Sequence, residues 1–255
     1  MDNETGSLYS RIEGTIAHVE FGTAASNSFT LELLGRVSRE IERLGREEGV
    51  HAVLLKSEGD RAFCAGANFD QLLSIEDPDQ GTEFFSGFAL LINAIRECPV
   101  PVIARVQGKA VGGGVGLIAA CDLAWATESA SVRLSEVSIG IAPLVIEPAV
   151  TRKIGRTAFN ELAFRPRDWK SAYWAKDHGL FNRVFESLKD LDYFLDQYLA
   201  ELSQYSPEAL TACKRATWED CDHWDQLLLL RARQSGQLAL TERTKAILKS
   251  IKSGG

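Results

Sequence analysis

The chain reads as an α/β protein, a spiral of repeating strand–helix units followed by a purely helical stretch. Three observations carry that reading. Short apolar strands such as Val53–Ser57 and Val102–Val106 run into turns of small residues and then into helical patterns. No fixed-period repeat accompanies these units, so a solenoid in the strict sense is not supported. After about Leu188, apolar residues recur only at helical spacing. The expected division is therefore a core over 1–188 and a helical region over 189–255.

Taken in order, Leu8 to Glu13 and Thr15 to Glu20 form a hairpin around Gly14, although their alternation is imperfect. Thr30 to Glu47 is a helix, because Leu33, Leu34, Val37, Ile41 and Leu44 share one face. Val53–Ser57 is a buried strand, and a helix begins near Phe69. Asp77-Pro78-Asp79-Gln80-Gly81 is rich in turn formers and is read as a loop. The acidic stretch Ser74 to Ser86 around it is the expected mobile lid. Phe84 to Arg96 forms a helix that ends before Pro99. Val102–Val106 and Asp122 to Ala126 are strands, and Val132 to Leu134 is a short one. Leu191 to Tyr205, Pro207 to Asp220 and Trp224 to Lys252 are helices. Leu227 to Leu230 are four consecutive leucines, too apolar for a free surface, which points to a contact between copies of the chain.

Composition narrows the function. A chain of 255 residues with 45% hydrophobic content can bury a full core. A net charge of −7 without a basic aromatic patch argues against nucleic-acid binding. Cys64, Cys98, Cys121, Cys213 and Cys221 are scattered, with no Cys-x-x-Cys pair and no His at metal spacing. They read as reduced and mostly small apolar fillers of a cytoplasmic protein, and no metal site is expected. Met1 to Ser7 is polar and acidic, with neither an apolar signal core nor an Arg-rich transit pattern. No apolar run is long enough to span a membrane.

Three segments carry chemistry. In the first, the strand Val102–Val106 leads into Gly112-Gly113-Gly114 and then into a small apolar helix. Glycines allow close approach of a ligand to the backbone, and the free N–H groups at a helix start favour negative charge. That is the physics of an oxyanion hole or a phosphate cradle. The Gly-Lys-Ser/Thr ending of a P-loop is missing, and the last glycine of a dinucleotide fingerprint is not supplied. An oxyanion hole fits better, with close helix–strand packing as the plain alternative.

The second segment, Arg61-Ala62-Phe63-Cys64-Ala65-Gly66-Ala67-Asn68, has the same order of strand, small-residue turn and helix. Backbone donors from two such turns can converge on one carbonyl oxygen, and removing one such donor costs about 3–4 kcal/mol of transition-state stabilisation. In the third, Leu134 to Pro143, Glu136 sits among small and apolar residues. Buried beside an apolar ligand, its carboxyl would titrate nearer neutrality, as a general base requires. A solvated or capping glutamate is the alternative.

In order and spacing, Ala65-Gly66-Ala67-Asn68, Gly112-Gly113-Gly114 leading to Cys121-Asp122, and Ser135-Glu136 with Gly140-Ile141-Ala142-Pro143 resemble the crotonase superfamily, the enoyl-CoA hydratases and isomerases. The resemblance runs from about Ile16 to Ser206. It implies a crotonase-like ββα spiral core with a C-terminal helical region that joins trimers, often paired into hexamers. It implies an acyl-CoA thioester substrate, with coenzyme A entering as part of that substrate and no separate cofactor. It assigns the oxyanion hole to the amides of Ala67 and Gly113 and the acid–base role to Glu136. It further places Cys64, Ala65, Asn68, Gly112, Pro143 and Leu144 along the acyl-CoA path.

One departure matters. Hydratases of the superfamily carry a first glutamate two positions beyond the last glycine, and here that position is Gly116. One carboxylate suffices for double-bond isomerisation, whereas hydration ordinarily divides its work between two. A narrower resemblance, over residues 112–122 and from Leu134 through Gly155, is to bacterial 3-methylglutaconyl-CoA hydratases of leucine breakdown, where glycine at that position is familiar. The implied activity is therefore hydration of a branched or dicarboxylic enoyl-CoA. An enoyl-CoA isomerase using Glu136 alone, or a non-catalytic acyl-CoA-binding scaffold, are the alternatives. Glu147, just before Pro148, is the candidate replacement carboxylate, against a plain charge at a helix start. Asp122 reads as structural. Leu72, Leu73, Phe84, Phe85 and Phe88 are candidates for the acyl pocket. Arg61, Arg133 or Arg152 are candidate cations for an acyl carboxylate, and Lys245, Lys249 or Lys252 for the CoA phosphates.

Overall fold

The structure is a computed structural model that describes residues 5–253. Met1 to Glu4 and Gly254-Gly255, parts of the polar start and of the lysine-bearing tail, lie outside the described residues. The chain opens with an antiparallel hairpin, β1 (Ser7–Glu13) and β2 (Ile16–Gly22), turning at Gly14. Helix α1 (Leu31–Gly45) follows, capped by the Thr30 hydroxyl, which accepts from the Leu33 N–H.

From here the chain winds in ββα turns. The first is β3 (Ala52–Ser57), β4 (Ala62–Cys64), α2 (Phe69–Leu73) and α3 (Pro78–Glu97). The second is β5 (Val102–Val106), β6 (Lys109–Val111) and α4 (Gly113–Ala120). The third is β7 (Leu123–Thr127), β8 (Ser131–Arg133), a short 3-10 turn (Glu136–Ile139) and α5 (Glu147–Phe164), which breaks at Gly155. Then come β9 (Lys170–Ser171), α6 (Ala172–Asp177), β10 (Arg183–Phe185), α7 (Leu188–Leu202), α8 (Pro207–Thr217), α9 (Trp224–Ala239) and α10 (Glu242–Ser253).

Each turn of the spiral contributes one strand to each of two sheets. The large sheet has the order β1-β2-β3-β5-β7-β10, and the small one β4-β6-β8-β9. Outside the hairpin the large sheet is parallel, and β3, β5 and β7 are buried on both faces. Val53 and Leu55 of β3 point into the main core. Ala52 and Leu54 point the other way, into a second core closed by Leu191, Leu195, Leu199 and Leu202 of α7. In the small sheet β4, β6 and β8 are parallel neighbours. The turns that leave their C-terminal ends therefore lie side by side.

Three sequence expectations are corrected. Asp77 to Gly81 is the start of α3 and no loop: the Asp77 carboxylate accepts from the Asp79 and Gln80 N–H groups, and Pro78 holds the first helical position. Turn formers and helix starters are the same residue types, which is why the segment misled. Most of the expected lid, Ser74 to Ser86, is consequently helical, and Gly81 packs directly on Gly236 of α9. Trp224 to Lys252 is two helices, because the Thr241 hydroxyl accepts from the Thr244 N–H and restarts the helix as α10. Within the leucine run, Leu228 is buried in the chain's own core, Leu227 is half-buried against it, and Leu229 and Leu230 are 44% and 54% exposed. Among the described residues no helix is long and apolar enough to cross a membrane.

Candidate active site

The site is built where the three small-sheet turns meet. After β4, the turn 65–68 is pinned to the segment before α1. Ala65 N–H donates to Ser26 O, Phe29 N–H to Gly66 O, and Asn68 N–H to Phe29 O, at 3.1, 2.7 and 2.8 Å. Ala67 N–H is left without an acceptor among the described residues. After β6, Gly112 adopts φ 51° and ψ −117°, a conformation open to glycine, and α4 begins at Gly113. The Gly113 N–H, at the first helical position, also has no acceptor among the described residues. The two turns touch: a Cβ at Gly66 would lie 2.9 Å from Val111 O and 3.5 Å from Gly113 N. A Cβ at Gly113 would strike the Phe88 ring at 2.2 Å.

After β8 comes Glu136. Its carboxyl lies over Gly112, where a Cβ would stand 2.7 Å from Oε1. Its Oε2 is removed from water and has no hydrogen-bond partner. Loss of solvation raises the Glu136 pKa from 4.5 to about 7, against an opposing pull from its own backbone and from the Arg133 charge. The Glu136 turn is braced from the far end of the chain, since the Thr244 hydroxyl of α10 donates to Gly140 O at 3.0 Å.

These turns enclose a cavity of about 470 Å³. Ala65, Ala67, Asn68, Gly112, Gly113, Glu136, Pro143 and Leu144 line it, as do Leu72, Phe85 and Phe88. Asn68 also caps α2, accepting from the Gln71 N–H at 3.0 Å. Among the described residues six buried side-chain polar atoms lack a partner, and three of them, Ser28 Oγ, Arg133 Nε and Glu136 Oε2, belong to residues of this one wall. Buried polar groups are normally paired, so their concentration here marks a surface shaped for a polar ligand.

Several sequence-derived residues fall elsewhere. Cys64 does not line the cavity: it closes β4 fully buried, accepts from the Gly66 N–H at 3.3 Å, and burial pushes its thiol up to about 12. Its Cβ and Sγ support Gly114 from behind. Glu147 does not line the cavity either. It opens α5, accepts from the Thr151 hydroxyl at 3.0 Å and faces Arg231 at 3.9 Å. Leu73 and Phe84 are absent from the wall, and Phe84 packs edge-on against Phe85 and Phe88. Of the three candidate arginines only Arg133 lines the cavity, while Arg152 stacks on Trp218 at 3.9 Å. Of the three lysines, Lys252 pairs with Asp70, a cavity residue, at 2.9 Å.

Gly116 acquires a physical reason. A Cβ there would lie 2.3 Å from Ile146 Cγ2, and Ile146 lines the cavity. The isoleucine occupies the space into which a longer side chain at 116 would grow. Ile146 lies in the segment Leu134–Gly155 that carries the narrower resemblance, whereas the sequence gives no signal for Ser235 and Ile251, two further wall residues from α9 and α10. Nothing local marks them, because their place depends on how α5, α9 and α10 pack.

The chain belongs to the enoyl-CoA hydratase/isomerase family, whose sequence profile matches residues 11–252. It is 31% identical to the human mitochondrial methylglutaconyl-CoA hydratase over 193 residues, 74% of this chain and 56% of that protein. It is also 31% identical to the human mitochondrial Delta(3,5)-Delta(2,4)-dienoyl-CoA isomerase over 196 residues, 71% of this chain and 58% of that one. The chain thus spans little more than half the length of these two relatives. An enoyl-CoA hydratase structure from Mycobacterium avium superposes with a TM-score of 0.85 at 26% identity, covering 100% of this chain and 98% of the other. One from Bacillus halodurans gives 0.89 at 20% identity, over 95% and 99%, and shares the fold. The crotonase-like α/β fold is therefore that of this chain, and enzymes of the family act on acyl-CoA substrates.

Proposed function

We propose that this protein is an enoyl-CoA hydratase of the 3-methylglutaconyl-CoA type, adding water reversibly to a branched, carboxylate-bearing enoyl-CoA. The observation that carries the reading is Glu136: a carboxyl with Oε2 unbonded, its pKa raised to about 7, in a cavity lined by Ala67 and Gly113, whose amides have no acceptor among the described residues. A group with that pKa takes and returns a proton at neutral pH. In this reading the two amides bind the thioester oxygen. The water oxygen bonds to C3 while the C2=C3 electron pair moves toward C2 and the carbonyl oxygen. Glu136 takes the water proton and delivers a proton to C2, so one water is added and no proton is left over. Stabilisation of the enolate oxygen by two preset donors is the largest contribution expected. Coenzyme A comes and goes with the substrate, and in this reading Lys252, which pairs with the cavity residue Asp70, is the lysine that meets its phosphates.

Isomerisation of a 3-enoyl-CoA is the second reading. It is favoured by Ile146, which fills the space beside Gly116 with an apolar side chain. A single carboxyl moving a proton between C2 and C4 needs no second polar group. Incubation of the purified protein with 3-methylglutaconyl-CoA, crotonyl-CoA and a 3-enoyl-CoA separates the readings. Hydration of the first substrate, lost in Glu136→Gln, supports the hydratase. Double-bond migration without hydration supports the isomerase, and binding without turnover of any of them leaves an acyl-CoA-binding scaffold. A cytoplasmic homotrimer or hexamer, with residues 189–255 as the joining region and Leu229 and Leu230 at the contact, belongs to the same proposal.

A further inference from the structure

Arg133 ends β8 three residues before Glu136 and lines the same cavity. Its Nε is removed from water and has no acceptor among the described residues. The guanidinium carbon stands 4.4 Å from the centroid of the Trp169 ring. An aromatic face attracts a guanidinium and holds its plane, but leaves its in-plane N–H donors unbonded. A charged donor withdrawn from water without an acceptor is costly, unless a ligand supplies one. The carboxyl that Arg133 draws toward ionisation, Glu136, keeps its own Oε2 unbonded. Cation and carboxyl thus share one cavity without pairing with each other, and the same cavity is lined by the apolar side chains of Phe85, Phe88 and Ile146.

The geometry points to Arg133 as the specificity-determining residue that binds a carboxylate on the acyl group, so that the cavity selects acyl-CoA thioesters carrying a second acid function. This rests on the acyl-CoA reading of the site. A planar guanidinium fork matches a carboxylate with two parallel hydrogen bonds, which a lysine ammonium cannot reproduce. Glu136, three residues on, serves the reacting carbons, and Arg133 reads the group beyond them. A CoA phosphate offers the same anionic chemistry, and the experiment separates the two sources.

Equilibrium binding of glutaryl-CoA, butyryl-CoA and free CoA is measured by calorimetry on the full-length protein, on Arg133→Met and on Arg133→Lys. The saturated thioesters have no double bond, so affinity is read without turnover, and failure of the hydratase reading would leave this result standing. The wild type is expected to prefer glutaryl-CoA over butyryl-CoA by about 10- to 100-fold, the usual range for a hydrogen bond to a charged group. That ratio should collapse toward one in Arg133→Met and be partly kept in Arg133→Lys. A wild type with no preference overturns the proposal without recourse to any variant. An equal loss of all three ligands in the variants, with the ratio intact, also overturns it and assigns Arg133 to the CoA phosphates.

Discussion

The two ends of α4 use carboxylates in opposite ways. At its C-terminal end Asp122 is fully engaged: its carboxylate accepts from Val102 N–H, Trp218 Nε1 and Lys214 Nζ at 2.7, 2.8 and 2.9 Å. Its carbonyl accepts from Lys153 Nζ at 2.8 Å. Lys214, with a side chain only 3% exposed, also donates to Ile95 O and Val100 O. At the N-terminal end, over Gly112, Glu136 Oε2 has no partner among the described residues. The first carboxylate has nothing left to offer a ligand and ties β5 to α8, while the Asp122 carbonyl adds α5. The second is held ready by one unbonded, unsolvated oxygen. A satisfied buried charge is architecture, and an unsatisfied one beside a cavity is chemistry.

The sharpest way to break that contrast is to neutralise each acid. Glu136→Gln should lower turnover by about 10²- to 10⁴-fold, as expected for a lost acid–base group, with acyl-CoA affinity largely kept. Retained turnover would remove Glu136 from the reaction. The same variant tests the pH behaviour. The folded protein keeps a proton on Glu136 that the unfolded chain releases between about pH 4.5 and 7. Stability from this group is therefore present below pH 4.5 and lost as pH rises to about 7. Activity that needs the carboxylate rises on a limb near pH 7. In Glu136→Gln that stability slope should vanish, so the variant should gain most over the wild type at pH 8 in urea unfolding.

At the other end, Asp122→Ala should cost about 3–5 kcal/mol of stability, because it strands a buried lysine. Turnover per folded molecule should change little, and a variant as stable as the wild type would refute the structural role.

A smaller effect tests the wall opposite Glu136. Gly116→Ala should cost about 1–3 kcal/mol through overpacking against Ile146, and adding Ile146→Ala should restore most of it. In that relaxed background Gly116→Glu should fold and raise hydration of crotonyl-CoA. A Gly116→Ala protein of unchanged stability would mean that Ile146 does not hold the space. The smallest effect belongs to Glu147→Gln. Its distant, partly exposed ion pair with Arg231 is worth under about 1 kcal/mol, and turnover should stay within about threefold. A loss as large as that of Glu136→Gln would return Glu147 to the chemistry.

Much of the ββα winding was legible because its strands are apolar runs ending in small-residue turns. The turns carrying Ala67, Gly113 and Glu136 could be read one by one. Their adjacency could not, since it follows from β4, β6 and β8 pairing within one small sheet. The start of α3 looked like a loop because Asp77-Pro78 is equally a turn and a helix cap. The sequence does not say that Ile146 stands against Gly116, and it leaves Arg133 one of three candidate arginines, of which only Arg133 lines the cavity.

The sequence by itself determined the family, the glycine turns and the absence of a carboxylate at position 116, because each is a matter of residue type at a fixed local spacing. Only the tertiary structure decided that Glu147 turns away to Arg231, that Ile146 stands against Gly116, and that Arg133 shares a cavity with Glu136. Those outcomes depend on the packing of elements far apart in the chain, where contact is set by sheet order and helix placement and no local pattern of residues records it.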